Sequence, residues 1–283
     1  MDDHAINSTA QPRFLMCRPQ YFAVSYSINP WMDPQDWASA GSVLSEAANW
    51  QWAAFHDALL DKGASIEFVD PKPGLPDLVF TANAAIVLDG KALLSRFRHP
   101  ERMREEPIFA AAFHTLREQA QIYSVEELPA DMILEGAGDC IWDQQRGQFW
   151  MGYGPRSDRA AAHVVADYFG AECVALELAD PSFYHLDTAF CALPSGDVIY
   201  YPGAFTASAR HAIEERVGPS QRIALDPAEA AQFSANAVSF DHCLVLSSCA
   251  DMIASQRRRR SSSDESEVET REMTSRFSGS MSG

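Results

Sequence analysis

The sequence predicts an α/β fold built from repeated units, and three observations support this. A segment made of a small polar residue, an apolar strand, a short turn and a second apolar strand occurs four times. Its copies begin at Asn83, Asp139, Asp187 and Asn236, about 50 residues apart. Helical apolar spacing separates the copies, and 47% of the 283 residues are apolar, enough for a full core. Repeats of this length stack in a ring or a solenoid, where the opening polar residues would meet in one site.

The chain begins with a polar arm and then alternates strand and helix. Residues 1–12 contain no apolar run, and residues 14–19 (FLMCRP) predict a buried strand. Apolar residues recur at helical spacing between residues 36 and 60, and Gly63 favours the end of that helix. Residues 65–70 (SIEFVD) predict the next strand, which a proline-rich loop follows.

The later units repeat this order, with a hairpin followed by a helix. Helices are predicted at residues 105–120, 158–169 and 206–217, and a strand at 172–178. Each unit therefore reads as strand, hairpin, helix and strand in some rotation, with helices outside and hairpins inside.

The last 28 residues break the pattern. Residues 256–283 are rich in Arg, Ser and Glu, and they have too few large apolar side chains to offset the entropy of ordering. We expect a disordered tail there and a single domain over residues 13–255.

Composition limits the classes of partner and compartment. A net charge of −17 argues against a nucleic-acid partner, because phosphate binding needs clustered cations. The six cysteines form no CxxC pair and no metal-ligand spacing, so we expect reduced thiols, a cytoplasmic protein and no metal. No run approaches the roughly 18 apolar residues of a membrane span.

Two motifs carry groups suited to acid–base chemistry. Glu135 and Asp139 stand in EGAGD, where two glycines permit a tight backbone turn beside a carboxylate. His185 and Asp187 stand in HLDT, two residues apart and on one face of an extended chain. Each motif alone is also compatible with a plain loop or a core histidine. Together they favour a site, because a glutamate can orient an imidazole and keep it protonated.

Six segments, in order and spacing, resemble one family. They are FLMCRPQYFAVSYSINPWM, GLPDLVFTANAA, RFRHPER, EGAGD, GYGPRSDRAA and HLDT. The chain resembles the guanidino-group-modifying superfamily, or penteins, over residues 13–252, and most of all the arginine dihydrolase and dimethylargininase type. The resemblance implies a five-bladed α/β propeller of ββαβ modules around a central site for a small guanidine, without a cofactor.

The resemblance also implies roles for residues. His185 matches the catalytic histidine and Glu135 the carboxylate that positions it. Asp187 matches an acid that binds the guanidinium, a planar cation suited to carboxylates. The other positions that match substrate-contacting residues are Asp77, Asn83, Asn29, Arg102 and Arg156, the two arginines for the substrate carboxylate.

The chain departs from the family at its nucleophile. Members carry a cysteine near the C-terminus, where this sequence reads GSMSG. Cys249 follows the fourth hairpin and matches another position, although a catalytic role for it stays open. A frameshift after about Ala254 is one hypothesis for the change in composition. The fifth blade would then be incomplete, and its exposed strand edge would favour a homo-oligomer.

Three functions therefore remain open. The first is a guanidino C–N hydrolase that converts arginine to ornithine, ammonia and carbon dioxide through a cysteine adduct. The second is an amidinotransferase, which would need an amine acceptor. The third is a protein that binds guanidines without catalysis.

Overall fold

Five small sheets and their connecting helices make up the described part of the chain. The computed structural model describes residues 11–240 and 243–246. The predicted tail, Cys249 and nearly all of the predicted polar arm lie outside these residues. Within them, none of the helices combines the length and apolarity needed to cross a membrane.

Three sheets share one pattern, in which an antiparallel hairpin is followed by a third strand parallel to its second strand. The strands are β3 (Ala85–Leu88), β4 (Lys91–Leu94) and β5 (Ser124–Glu127); β6 (Cys140–Asp143), β7 (Gln148–Tyr153) and β8 (Glu172–Glu177); and β9 (Phe190–Ala192), β10 (Val198–Tyr200) and β11 (Arg222–Ala224). A parallel neighbour needs a crossover, which a helix supplies in each sheet. These helices are α3 (Glu106–Glu118), α5 (Ala161–Phe169) and α6 (Ala207–Arg216).

The other two sheets have two strands each within the described ranges. β1 (Arg13–Cys17) runs parallel to β2 (Ser65–Val69), and the long helix α1 (Pro34–Asp61) connects them. β12 (Ala237–Phe240) and β13 (Cys243–Leu246) form an antiparallel hairpin. Short helices complete the chain, namely α2 (Pro100–Met103), α4 (Gly136–Asp139) and α7 (Pro227–Ala231). The prediction of an α/β fold of hairpin-containing units is confirmed.

Local sequence signals explain where the helices begin and end. The Asp33 side chain accepts hydrogen bonds from the backbone N–H groups of Gln35 and Asp36, at 2.7 and 3.3 Å. Pro34 occupies the first turn, where its missing N–H costs nothing, so α1 begins two residues before the predicted start. Gly170 ends α5 with a left-handed φ of +72°.

The turns that lead into the hairpins converge on one region. Asn83 lies in a 3-10 turn before β3, Asp139 ends α4 before β6, and Asp187 lies in a 3-10 turn before β9. Helix α4 contacts both 3-10 turns. The repeat thus places equivalent polar residues next to one another.

Candidate active site

A cavity of about 540 Å³ opens where these turns meet. Seven of the eight site residues expected from the sequence line it, and Glu135 is the exception. They are Asn29, Asp77, Asn83, Arg102, Arg156, His185 and Asp187. The remaining lining is mainly apolar and aromatic, and it includes Phe22, Trp31, Phe80, Tyr184 and Phe233. Acidic and basic side chains therefore face the same cavity, whose other walls are mainly apolar, as in binding sites for small molecules.

His185 lies between two buried carboxylates. Its Nε2 atom is 3.4 Å from Glu135 Oε2, and its Nδ1 atom is 3.2 Å from Asp139 Oδ1, an ion-pair contact without hydrogen-bond alignment. Burial alone lowers the pKa of His185, but Asp139 and Glu135 outweigh it, so the pKa lies above its ordinary value. The two carboxylates therefore favour the protonated imidazole, which is the form that can donate a proton.

Glu135 is fully buried and acts on the cavity through its neighbours. Its Oε1 atom accepts from the backbone N–H of Arg98 at 3.0 Å, and its Oε2 atom accepts from Arg156 Nη1 at 3.0 Å. Burial raises the pKa of Glu135, but the opposite effect of His185 and Arg156 is larger, so the pKa lies below its ordinary value. The surroundings of Glu135 thus favour its ionised form beside His185, and the residue does not line the cavity.

Asp139 is a residue of the site to which the sequence assigned no individual role. Besides facing His185, it accepts from Ser157 Oγ at 2.6 Å and from the backbone N–H of Leu186 at 3.1 Å. The sequence held one signal for it, since Asp139 opens its hairpin unit as Asp187 opens the next one. That signal gave a position in the repeat but no contact with the histidine.

The glycines of EGAGD allow α4 to approach Asn83. Gly136 has a φ of +62°, and a Cβ there would lie 2.7 Å from the backbone carbon of Asn83. A Cβ on Gly138 would overlap the Asn83 side-chain nitrogen. Any larger residue would therefore push the turn before β3 away from α4.

The Asn83 carboxamide has a defined orientation. Its Oδ1 atom accepts from Arg102 Nη1 at 2.9 Å, and a guanidinium can only donate. The amide nitrogen therefore donates to the backbone oxygen of Glu135 at 3.3 Å, and it lies 3.4 Å from His185 Nε2, an atom that accepts a hydrogen bond only in the neutral imidazole. Arg102 itself is fixed by a buried ion pair with Glu105 at 2.8 Å.

The second arginine is also held by protein groups. Arg156 is 2% exposed, and its Nη2 atom donates to the backbone oxygen of Ile28 at 3.1 Å. Its guanidinium carbon lies 4.8 Å from the centre of the Tyr184 ring, a cation–π contact. Asn29, in the same loop as Ile28, accepts from the backbone N–H of Trp31 at 2.9 Å.

Two acids complete the cavity wall. Burial raises the pKa of Asp187 to about 7, although His185 acts in the opposite direction. Burial also raises the pKa of Asp77, against the lowering effect of Arg102 and a hydrogen bond from Tyr26. A cationic ligand between Asp77 and Asp187 would stabilise both carboxylates in their charged forms.

None of the cysteines with a described side chain lines the cavity. Cys17, Cys140 and Cys191 are buried, and burial raises the pKa of Cys17 to about 11 and that of Cys191 to about 12. A thiol of this kind is a poor nucleophile at neutral pH, because the thiolate is the reactive form. These cysteines are therefore core groups.

The hairpin turns of this α/β fold bring acids and a carboxylate-flanked imidazole to one cavity, and such groups suit the binding of a small cation. Comparisons with known proteins identify the family. A family model described as eukaryotic N,N dimethylarginine dimethylhydrolase matches residues 18–269. The chain belongs to this family, within the guanidino-group-modifying superfamily.

Three relatives illustrate the likeness. The bifunctional arginine dihydrolase/ornithine cyclodeaminase AgrE of Nostoc is 40% identical over 245 residues, 87% of this chain. The N(G),N(G)-dimethylarginine dimethylaminohydrolase of Mycobacterium tuberculosis is 35% identical over 246 residues, which cover 87% of this chain and 76% of that protein. The crystal structure of the N-terminal domain of cyanobacterial ArgZ superposes with a TM-score of 0.79 at 36% identity, over 92% of this chain and 90% of that domain. The match spans about one third of the length of AgrE, 33%.

Proposed function

We propose that this chain is a guanidino C–N hydrolase of the arginine dihydrolase/dimethylargininase type by descent, with a pocket for arginine or a derivative. The observation that carries the proposal is His185 between the carboxylates of Glu135 and Asp139, beside a cavity that Asp77 and Asp187 line. A planar guanidinium could lie between the two acids and bring its central carbon towards the imidazole.

The protein's groups suit the two proton transfers of such a reaction. A thiolate would bond to the guanidinium carbon, and the C–N bond would break as His185 protonates the leaving nitrogen. His185 would then remove a proton from water, whose oxygen attacks the same carbon and releases the thiolate. A second cycle on the ureido carbon would yield ornithine, a second ammonia and carbon dioxide.

We further propose that this chain binds arginine without turning it over. The support is that no cysteine with a described side chain lines the cavity. A cysteine-to-serine variant of the ArgZ N-terminal domain was crystallised with its substrate bound, so in that protein binding survives the loss of a thiol. A guanidine-binding protein without catalysis is therefore the second candidate function.

The sheet arrangement supports a five-bladed ring within a single domain over residues 13–255. The three complete sheets each hold a hairpin and a parallel strand, whereas β1 pairs with β2 alone among the described strands. A largely apolar groove of about 970 Å³ lies beside β1 and α1. We propose that this groove marks an incomplete fifth blade.

Calorimetry with L-arginine and an assay for ammonia and ornithine test these statements together. Binding without products is the expected result. Products at a steady rate would contradict the second candidate and establish turnover, and Cys249→Ser would then show whether Cys249 is the nucleophile. The absence of binding to folded protein would contradict the guanidine pocket itself.

A further inference from the structure

The hydroxyl of Tyr26 contacts Asp77, a residue that is distant from it in the sequence. It donates to Asp77 Oδ2 at 2.8 Å, across 51 residues of sequence. Tyr26 lies in an irregular segment between β1 and α1, and Val24 and Ile28 of this segment line the cavity. The same segment is fixed by Arg156, which donates to the backbone oxygen of Ile28 at 3.1 Å, and by Trp31 Nε1, which donates to the backbone oxygen of Ser182 at 2.7 Å.

The second oxygen of Asp77 is left without a partner. Asp77 is 3% exposed, and its Oδ1 atom is buried with no hydrogen-bond donor among the residues that the structure describes. Arg102 donates through Nη2 to the backbone oxygen of Asp77 at 3.3 Å, and not to its carboxylate. A buried acceptor without a donor is costly, so an N–H group of a ligand in the cavity would remove a real penalty.

We propose that Tyr26 is a positioning residue for the guanidine pocket: its hydroxyl holds Oδ2 of Asp77 and leaves Oδ1 alone to accept one N–H of the bound guanidinium. This inference rests on the proposed function. It assigns to Asp77 a single directional hydrogen bond, so that the orientation of the carboxylate decides how the cation lies in the pocket.

The Tyr26 hydroxyl also affects the charge of Asp77. Burial raises the pKa of Tyr26, and the Asp77 carboxylate adds to this effect, so Tyr26 remains a donor at neutral pH. Burial raises the pKa of Asp77, while Arg102, the Tyr26 hydrogen bond and Arg156 lower it. The charged or titratable groups that act on Asp77 are Tyr26, Arg102, Glu105, Glu135, Arg156 and Tyr184. Tyr26 is the one that donates a hydrogen bond to the Asp77 carboxylate, and Tyr26→Phe removes only the donating oxygen and keeps the packed ring.

The test is Tyr26→Phe in the full chain, with L-arginine binding measured by calorimetry between pH 5.5 and 8.5. Loss of the donor should weaken binding about tenfold or more at neutral pH, as expected for a hydrogen bond to a charged group. The loss of affinity relative to the wild type should grow as the pH falls. Without the Tyr26 hydrogen bond the pKa of Asp77 is higher, so Asp77 is protonated at a higher pH in the variant than in the wild type. Tyr21→Phe is the matched control, since the Tyr21 hydroxyl contacts Gln20 on the surface, and it should bind as the wild type does.

A second measurement makes the test independent of arginine. The carboxyl carbon of Asp77 is titrated by NMR in the unliganded wild type and in Tyr26→Phe, and the variant should show the higher pKa. An unchanged Asp77 titration, or an affinity loss that is equal at every pH, would overturn the positioning role. A wild type that fails to bind arginine would instead overturn the proposed function, and the Asp77 titration would still decide whether Tyr26 controls that carboxylate.

Discussion

The imidazole centre and the cavity wall differ in how their charges are compensated. In the centre, Glu135 and Asp139 hold His185 with ion-pair contacts at 3.4 and 3.2 Å, and each carboxylate also accepts hydrogen bonds. On the wall, Asp77 has one oxygen without a donor, and burial raises the pKa of Asp187 to about 7. The charges of the centre are therefore compensated by protein groups before any ligand binds. The fold compensates the acids of the wall only in part, and a ligand cation can supply the remainder.

The largest expected effect comes from removing a charge from the imidazole centre. Glu135→Gln removes the charge that faces Arg156 and His185, both buried, so it should lower the free energy of unfolding by about 3–5 kcal/mol. Urea denaturation measures this change. The matched control is Glu172→Gln, because Glu172 pairs with Arg216 at 2.8 Å on the surface, where a pair contributes at most about 1 kcal/mol. Equal losses in the two variants would show that the centre has no special electrostatic role.

Removing the charge of an acid in the cavity wall should affect ligand binding more than folding. Asp187→Asn should weaken L-arginine binding about tenfold to a hundredfold, as expected when a charged hydrogen-bond partner is lost. Wild-type binding should strengthen from pH 6 to pH 8, because burial raises the pKa of Asp187 to about 7 and the ionised acid attracts the cation. Calorimetry at several pH values tests this, with Asp197→Asn as the control, since Asp197 lies in the following hairpin turn. A variant that keeps wild-type affinity would place the guanidinium elsewhere.

A smaller effect separates the two carboxylates of the centre. Asp139→Asn should lower the pKa of His185, because Asp139 is the largest interaction that raises it. A raised pKa stabilises the fold below the unfolded value of 6.5 and loses this effect as the pH rises through the folded value. The stability difference between wild type and variant should therefore be larger at pH 6 than at pH 9, by about 1.4 kcal/mol for each unit of pKa lost. NMR titration of the imidazole checks the shift directly, and an unchanged pKa would remove Asp139 from the centre.

The sequence predicted the regular elements well because their signals are local. The helices expected at 105–120, 158–169 and 206–217 lie at Glu106–Glu118, Ala161–Phe169 and Ala207–Arg216. Apolar spacing, caps and a terminal glycine such as Gly170 depend only on neighbouring residues. The four hairpins followed from the same local pattern.

The interactions within the site were harder to predict, because they join distant parts of the chain. Periodicity placed Asp139 in the repeat, but its contact with His185 spans 46 positions and depends on how two turns pack. Nothing near Tyr26 in the sequence indicates a contact with Asp77. The partner of Arg102 could have been predicted, because Glu105 follows it by three residues, a spacing at which side chains of opposite charge pair. The burial of this pair could not be predicted from the spacing.

The central claim is that the cavity wall is built for a flat cation, and L-arginine against L-citrulline tests it most directly. Citrulline has the same backbone and chain length, but its ureido group is neutral. Calorimetry on the unmodified protein at pH 8 should show arginine bound at least about tenfold more tightly, because of the two ligands only arginine carries a positive side-chain charge that can pair with Asp77 and Asp187. Equal affinity for the two ligands, or tighter binding of citrulline, would contradict the account.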